Sequence, residues 1–251
     1  MPRRGLGVAP LSVIKIGGSV LTDALAYRRA AAFVARRLSD HPGERVLAVV
    51  SAQHGTTDAL ERVARDISPR PDRSALDLLW STGELQSVAI LVLCLHALGV
   101  DAAAVNVQQT GLVEPDLNDT GTVRLRALRL RALLAAYDVV VAPGFLARGA
   151  ADSVVSLGRG GSDLTAVLLA AGLQARLCEL VKDVPGYFSA DPNVDPHARH
   201  LPAIDYSHAL TMADDGCELV QRRALEAARD CGVTLAIRSM AAGQPHTIVS
   251  A

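Results

Sequence analysis

The chain has few aromatic residues, no paired-cysteine motif and no excess of either charge, and each shortage removes a class of function. Aromatics make up 3% of the 251 residues, too few for the stacking platforms that hold single-stranded nucleic acid. Lysine and arginine number 25 against 26 aspartates and glutamates, a balance that leaves no basic footprint for nucleic acid. The cysteines, Cys94, Cys178, Cys217 and Cys231, form no C-x-x-C pair and read as small buried hydrophobes in a reducing compartment. The histidines lack H-E-x-x-H spacing, and His197 and His200, close together but without cysteine partners, read as surface residues, so no metal-ligand set is expected. No run approaches the roughly 20 apolar residues that span a bilayer, and residues 1–10 have no long apolar core. The expectation is a cytoplasmic protein with neither nucleic-acid nor membrane partners.

What is present is apolar bulk in an alternating order. Half of the residues are hydrophobic, enough for a large core within one domain. Apolar runs at 12–16, 46–50, 102–107, 138–142 and 176–181 read as strands, with closing strands at 233–237 and 247–249. Helical patterns fall at 24–38, 59–66, 123–136, 164–171, 206–213 and 217–231, and a long one at 74–98 is interrupted by Ser81-Thr82-Gly83-Glu84. The strands lack two-residue alternation, which predicts an α/β fold with a largely parallel sheet covered on both faces. Residues 183–202, rich in proline and aspartate, read as a surface excursion, either structured or a mobile lid.

Two glycine-rich stretches stand at predicted strand-to-helix junctions: Lys15-Ile16-Gly17-Gly18-Ser19 and Gly158-Arg159-Gly160-Gly161-Ser162-Asp163. Small residues, a cation and free backbone N–H groups at such a turn suit phosphate. Gly17 and Gly18 would let a phosphate approach the backbone, and Lys15 would offer a movable point charge. Arg159 has a planar fork for a carboxylate or phosphate, while Ser162 or Asp163 could equally be a helix N-cap. Glu84 stands among apolar neighbours, where it either caps a helix after Gly83 or points into a site to hold a cationic amine.

These motifs are joined in order by Ser51-Ala52 with Thr57, Gly83-Glu84, Thr165-Ala166, Asp183-Val184-Pro185-Gly186, Ala190-Asp191-Pro192 and Ile237-Arg238-Ser239. From Val13 to Ser239 the chain thus resembles the amino acid kinase superfamily, and within it the catalytic domain of aspartate kinases. The resemblance implies a three-layer αβα sandwich, with an acceptor-binding part over about residues 1–150 and a nucleotide-binding part over about 151–251. It implies transfer of the γ-phosphoryl group of ATP, with Mg2+ held mainly by the phosphates, to the side-chain carboxylate of L-aspartate. Lys15, Arg159 and Asp163 would be the catalytic residues, Lys15 stabilising charge on the transferring group. Ser51 and Thr57 would line the acceptor site, Glu84 and Asp163 would receive the acceptor ammonium, and Arg159 would clamp its α-carboxylate. The nucleotide side would comprise Lys15, Gly17, Gly18, Ser19, Lys182, Asp183, Gly186, Phe188, Asp191, Asn193 and Glu218.

The departures fall mostly on that nucleotide side. The family usually has threonine at Lys182, tyrosine at Phe188, arginine at Asn193 and lysine at Glu218, so a negative charge stands where a positive one is usual. Ile16 and Ser19 replace the usual phenylalanine and threonine, as in more distant carboxylate kinases of the superfamily. Aspartate kinases also continue into paired ACT domains, so feedback inhibition is not expected from this polypeptide alone. The same likeness implies a homo-oligomer, read as a dimer. Alternative readings are a kinase for another small carboxylic or amino acid, or a ligand-binding subunit impaired in catalysis.

Overall fold

The structure, a computed structural model, describes residues 9–113, 123–158, 160–192, 194–241 and 243–251. The first apolar run forms β1 (Leu11–Ile16), which leads through a short turn into α1 (Ala24–Asp40). Asp23 caps α1 by accepting from the Ala26 N–H at 2.8 Å. Then come β2 (Arg45–Val50), α2 (Thr56–Ile67), α3 (Arg73–Ala97) and β3 (Ala102–Ala104). The middle of the chain holds the single turn α4 (Val107–Thr110), β4 (Leu112–Val113), β5 (Arg124–Leu125), α5 (Leu128–Ala136), β6 (Val139–Pro143), β7 (Leu146–Arg148) and β8 (Val154–Ser156). The last part holds α6 (Gly161–Leu173), β9 (Leu177–Val181), β10 (Ala203–Asp205), α7 (Tyr206–Asp214), α8 (Arg222–Cys231), β11 (Leu235–Arg238) and β12 (His246–Ser250).

The main sheet has eight strands in the order β10-β12-β11-β9-β1-β2-β6-β3. Every neighbouring pair is parallel except β11 with β12. Side chains alternate across the strands, so Ile14, Val46, Ala48 and Val141 pack under α1 and α3, while Val13, Leu47, Val140 and Leu180 pack under α5 to α8. The expected α/β class and its three layers are what the structure has. A second sheet, β5-β4-β7-β8, was not foreseen, because its strands are only two or three residues long.

Other boundaries also differ. The run expected at 102–107 ends as a strand at Ala104, because Asn106 starts α4 with a reciprocal capping box to Gln109. The helix expected at 217–231 begins only at Arg222, leaving Glu218 exposed in the preceding turn. The helix α3 runs through Gly83 without a break. A Cβ at Gly83 would lie 2.9 Å from Thr56 Cγ2 and 3.2 Å from Ala52 Cβ, so this glycine is a packing notch, not a helix stop. Among the described residues α3 is also long and apolar enough to cross a bilayer, contrary to the sequence expectation. Its Val88, Leu91, Val92 and Leu95 are instead buried in the core beneath α1.

A charged network ties α1 to the sheet. Arg37 meets Glu44 and Glu179 at 2.6 Å each, and Ser12 Oγ donates to Glu44 at 2.6 Å. Arg238 completes it, 3.1 Å from the other oxygen of Glu179.

Candidate active site

Parallel strands deliver their carboxyl ends to one edge, where loops gather ligands. Lys15, near the end of β1, faces the same side as Val13, toward α6. The neighbouring strand β9 places Cys178 and Leu180 on that side, and two residues later Lys182 follows the same alternation just past the strand. Its backbone is fixed by a hydrogen bond from the Lys182 N–H to the Arg238 carbonyl at 2.9 Å. Above both lysines stands the first turn of α6, which carries Asp163.

The result is one buried carboxylate gripped by two ammonium groups. Lys15 Nζ is 2.8 Å from Asp163 Oδ1, and Lys182 Nζ is 2.7 Å from Oδ2. The side chains of Lys15, Asp163 and Lys182 are 8%, 4% and 13% exposed, so all three charges are largely out of water. Burial pushes the Asp163 carboxyl up, but Lys15 and Lys182 outweigh it and hold the group down to about 2. Burial, with the repulsion of Lys15, lowers the pKa of Lys182. The two glycine motifs therefore do meet, through Lys15 and Asp163.

The sequence reading gave Asp163 to the acceptor ammonium, whereas here both of its oxygens already hold lysines. It placed Lys182 among nucleotide contacts, and the structure brings it to the centre of the cluster. The turn after β1 is packed tightly: a Cβ at Gly17 would lie 3.1 Å from Lys15 Nζ, and one at Gly18 would lie 2.8 Å from the Ala52 carbonyl oxygen. These glycines thus make room for the protein's own ammonium and backbone. Ser19 is exposed beside them.

Glu84 enters from α3. It is 3% exposed, and its Oε2 has no hydrogen-bond partner. Burial pushes the carboxyl up to about 8, against the downward pull of the Ala52 N–H and the charge of Lys15. Its mid-helix position rules out the capping alternative. An uncompensated buried carboxyl near a cation cluster is suited to a basic ligand group. One helical turn away, Trp80 leaves its buried indole N–H without a partner and packs against Phe145 at 5.7 Å between ring centroids. Sequence reasoning missed Trp80, although its four-residue spacing from Glu84 was a usable signal.

The remaining assigned residues surround this cluster unevenly. Ser51, half-buried, follows β2 and donates its N–H to the Ile16 carbonyl at 3.2 Å, while Thr57 lies in the first turn of α2. Asp183 and Asp191 are exposed on the excursion after β9. That segment is anchored: the Tyr187 N–H donates to Thr247 Oγ1 at 2.8 Å, and Phe188 packs edge-on against His200 at 5.4 Å. Gly186 is buried under Thr247, where a Cβ would meet Oγ1 at 2.3 Å. Glu218 is not on a helix, and Arg159 and Asn193 lie outside the described residues. Among the described residues, no group of three or more His, Cys, Asp or Glu side chains is placed to hold a metal ion. An open cavity of about 1190 Å³, lined by Leu11, Arg45, Asp138 and Arg176, lies at the opposite, amino-terminal edge of the sheet and is remote from this chemistry.

Known proteins resemble this chain over nearly its whole length. Residues 10–239 match the amino acid kinase family. The chain is 37% identical to an aspartokinase of Mycolicibacterium smegmatis over 244 residues, covering 95% of this chain and 57% of that protein. It therefore spans little more than half the length of that relative. The aspartate kinase of Synechocystis superposes with a TM-score of 0.84 at 34% identity, over 96% of this chain and 40% of the other. E. coli aspartokinase III, solved with aspartate and ADP, superposes with a TM-score of 0.79 at 25% identity, over 96% of this chain and 65% of the other.

Proposed function

This chain belongs to the amino acid kinase family, and we propose that it transfers the γ-phosphoryl group of ATP to the side-chain carboxylate of L-aspartate, giving an acyl phosphate. The observation that carries this reading is the convergence of Lys15 and Asp163 from the two glycine motifs, with Glu84, whose buried Oε2 has no hydrogen-bond partner, within electrostatic range of Lys15. The aspartate and ADP bound to the E. coli relative support the choice of acceptor and nucleotide.

A carboxylate is already a nucleophile, so no general base is needed. One carboxylate oxygen of the acceptor attacks the γ-phosphorus while the bond to the β,γ-bridging oxygen breaks, and that electron pair leaves with ADP. No proton has to move, because an aspartate side chain is ionised at neutral pH. Lys15 supplies positive charge to the group in transit, and Asp163 fixes where that charge sits. Glu84 receives the acceptor ammonium, Ser51 and Thr57 line the acceptor, and Arg159 clamps its α-carboxylate. Gly17, Gly18 and Ser19 edge the phosphate site, while Asp183, Gly186, Phe188, Asp191, Asn193 and Glu218 form the nucleotide side. Magnesium would be held through the phosphates, where it supplies charge neutralisation. A cytoplasmic homodimer accompanies this reading.

Incubation with ATP, magnesium and L-aspartate in hydroxylamine tests it, since an acyl phosphate is trapped as a hydroxamate. Hydroxamate above a Lys15→Ala control is expected; its absence in the unaltered protein would overturn the assignment.

A further inference from the structure

We infer that Lys182 is a second catalytic cation of this site, its ammonium acting beside that of Lys15 on the phosphoryl group in transit. The inference rests on the phosphotransferase reading and goes beyond it, since that reading needs only Lys15.

Charge balance is the first ground. Asp163 already has a counter-ion in Lys15 at 2.8 Å, so a neutral structural pair would be complete without Lys182. Adding Lys182 at 2.7 Å leaves two ammonium groups on one buried carboxylate, a net positive charge in a place largely closed to water, since Asp183, which also acts on Lys182, is exposed to solvent that screens it. Burying unmatched charge is costly unless an anion offsets it. Glu84 does little to supply that anion in the empty site, because burial keeps its carboxyl largely protonated near neutral pH. The arrangement therefore fits a ligand that brings negative charge, as a polyphosphate does.

Placement is the second ground. Lys15 and Lys182 come from adjacent parallel strands, and both point to the α6 side at the sheet's carboxyl edge. Asp163 meets them with opposite oxygens, which spaces the two ammonium groups while holding both at one mouth. In phosphoryl transfer, charge is spread over three equatorial oxygens, so two separated cations neutralise it better than one. The transfer itself moves no proton: the acceptor oxygen gains the phosphorus, and ADP keeps the electron pair of the broken bond.

Steady-state kinetics of Lys182→Met and Lys182→Arg, with thermal melting as a fold check, tests the inference. Lys182→Met should lower kcat about 100-fold while the acceptor KM stays within about threefold, and arginine should recover at least about tenfold of the loss. Wild-type kcat in Lys182→Met, or a loss confined to KM, would overturn it. Lys182→Gln, which keeps a donor to Asp163 without the charge, gives the same reading should the methionine variant fail to fold. Calorimetry with magnesium tripolyphosphate needs no acceptor and separates this inference from the proposed reaction. At least about tenfold weaker binding by the neutral variants upholds the paired cation even if the unaltered protein makes no acyl phosphate, and equal affinity refutes it.

Discussion

Binding of the amino acid acceptor should expel a proton, and Glu84 sets how much. In the empty site this carboxyl is buried, one oxygen lacks a partner, and burial holds its pKa at about 8. A group with that value is about nine-tenths protonated at pH 7 and about half protonated at pH 8. When the acceptor ammonium docks against it, the ionised form is favoured and the proton leaves. The expected release is about 0.9 protons per acceptor at pH 7, falling to about 0.5 at pH 8, and affinity should rise by up to about tenfold per pH unit below pH 8. Titration calorimetry at pH 7 in two buffers of different ionisation enthalpy measures the release directly. Glu84→Gln should bind more weakly and release none. The same group also affects the empty protein: its folded pKa lies above the ordinary 4.5, so its stabilising contribution is full below about pH 4.5 and is lost as pH rises through about 8. Glu84→Gln should lack that decline. A binding enthalpy for the unaltered protein that is independent of buffer at pH 7 would refute the reasoning.

Other perturbations follow from the packing. Asp163→Asn leaves two buried ammonium groups without their shared counter-ion, and thermal unfolding should show a loss of about 3–5 kcal/mol. Asp163 also sets an acid limit: its folded pKa is below the ordinary 3.8, so its contribution is present above about pH 3.8 and is lost as pH falls through about 2, which acid titration of unfolding reads. Arg37→Met strands Glu44 and Glu179 and should cost about 3–5 kcal/mol in denaturant unfolding, with an unchanged midpoint counting against the network. Gly83→Val should destabilise by about 1–3 kcal/mol through overpacking against Thr56 and Ala52, as chemical denaturation would report.

Much of this was legible in the sequence because the signals were local. The buried strands β1, β2, β6 and β9 are apolar runs that end at glycine or polar turns, and both glycine motifs lie where a strand gives way to a helix. The short strands β4, β5, β7 and β8 carry too few residues for any period to show. Gly83 resembles a break in sequence, and only the approach of Thr56 explains its place inside α3. The Lys15–Asp163–Lys182 cluster was half visible. Each residue stood out, but their meeting depends on β9 lying beside β1, which the chain order does not reveal. Alternation along the two strands would then have put both lysines on one face. Glu84 was ambiguous in sequence because a cap and a buried ligand group look alike until the ends of the helix are known.

The most direct measurement is a crystal structure of the protein with MgADP, aluminium fluoride and L-aspartate. The account predicts the planar fluoride, as a stand-in for the phosphoryl group, within hydrogen-bond reach of Lys15 Nζ, and the acceptor ammonium against Glu84. Nucleotide phosphates bound away from Lys15, with the acceptor on another surface, would contradict it.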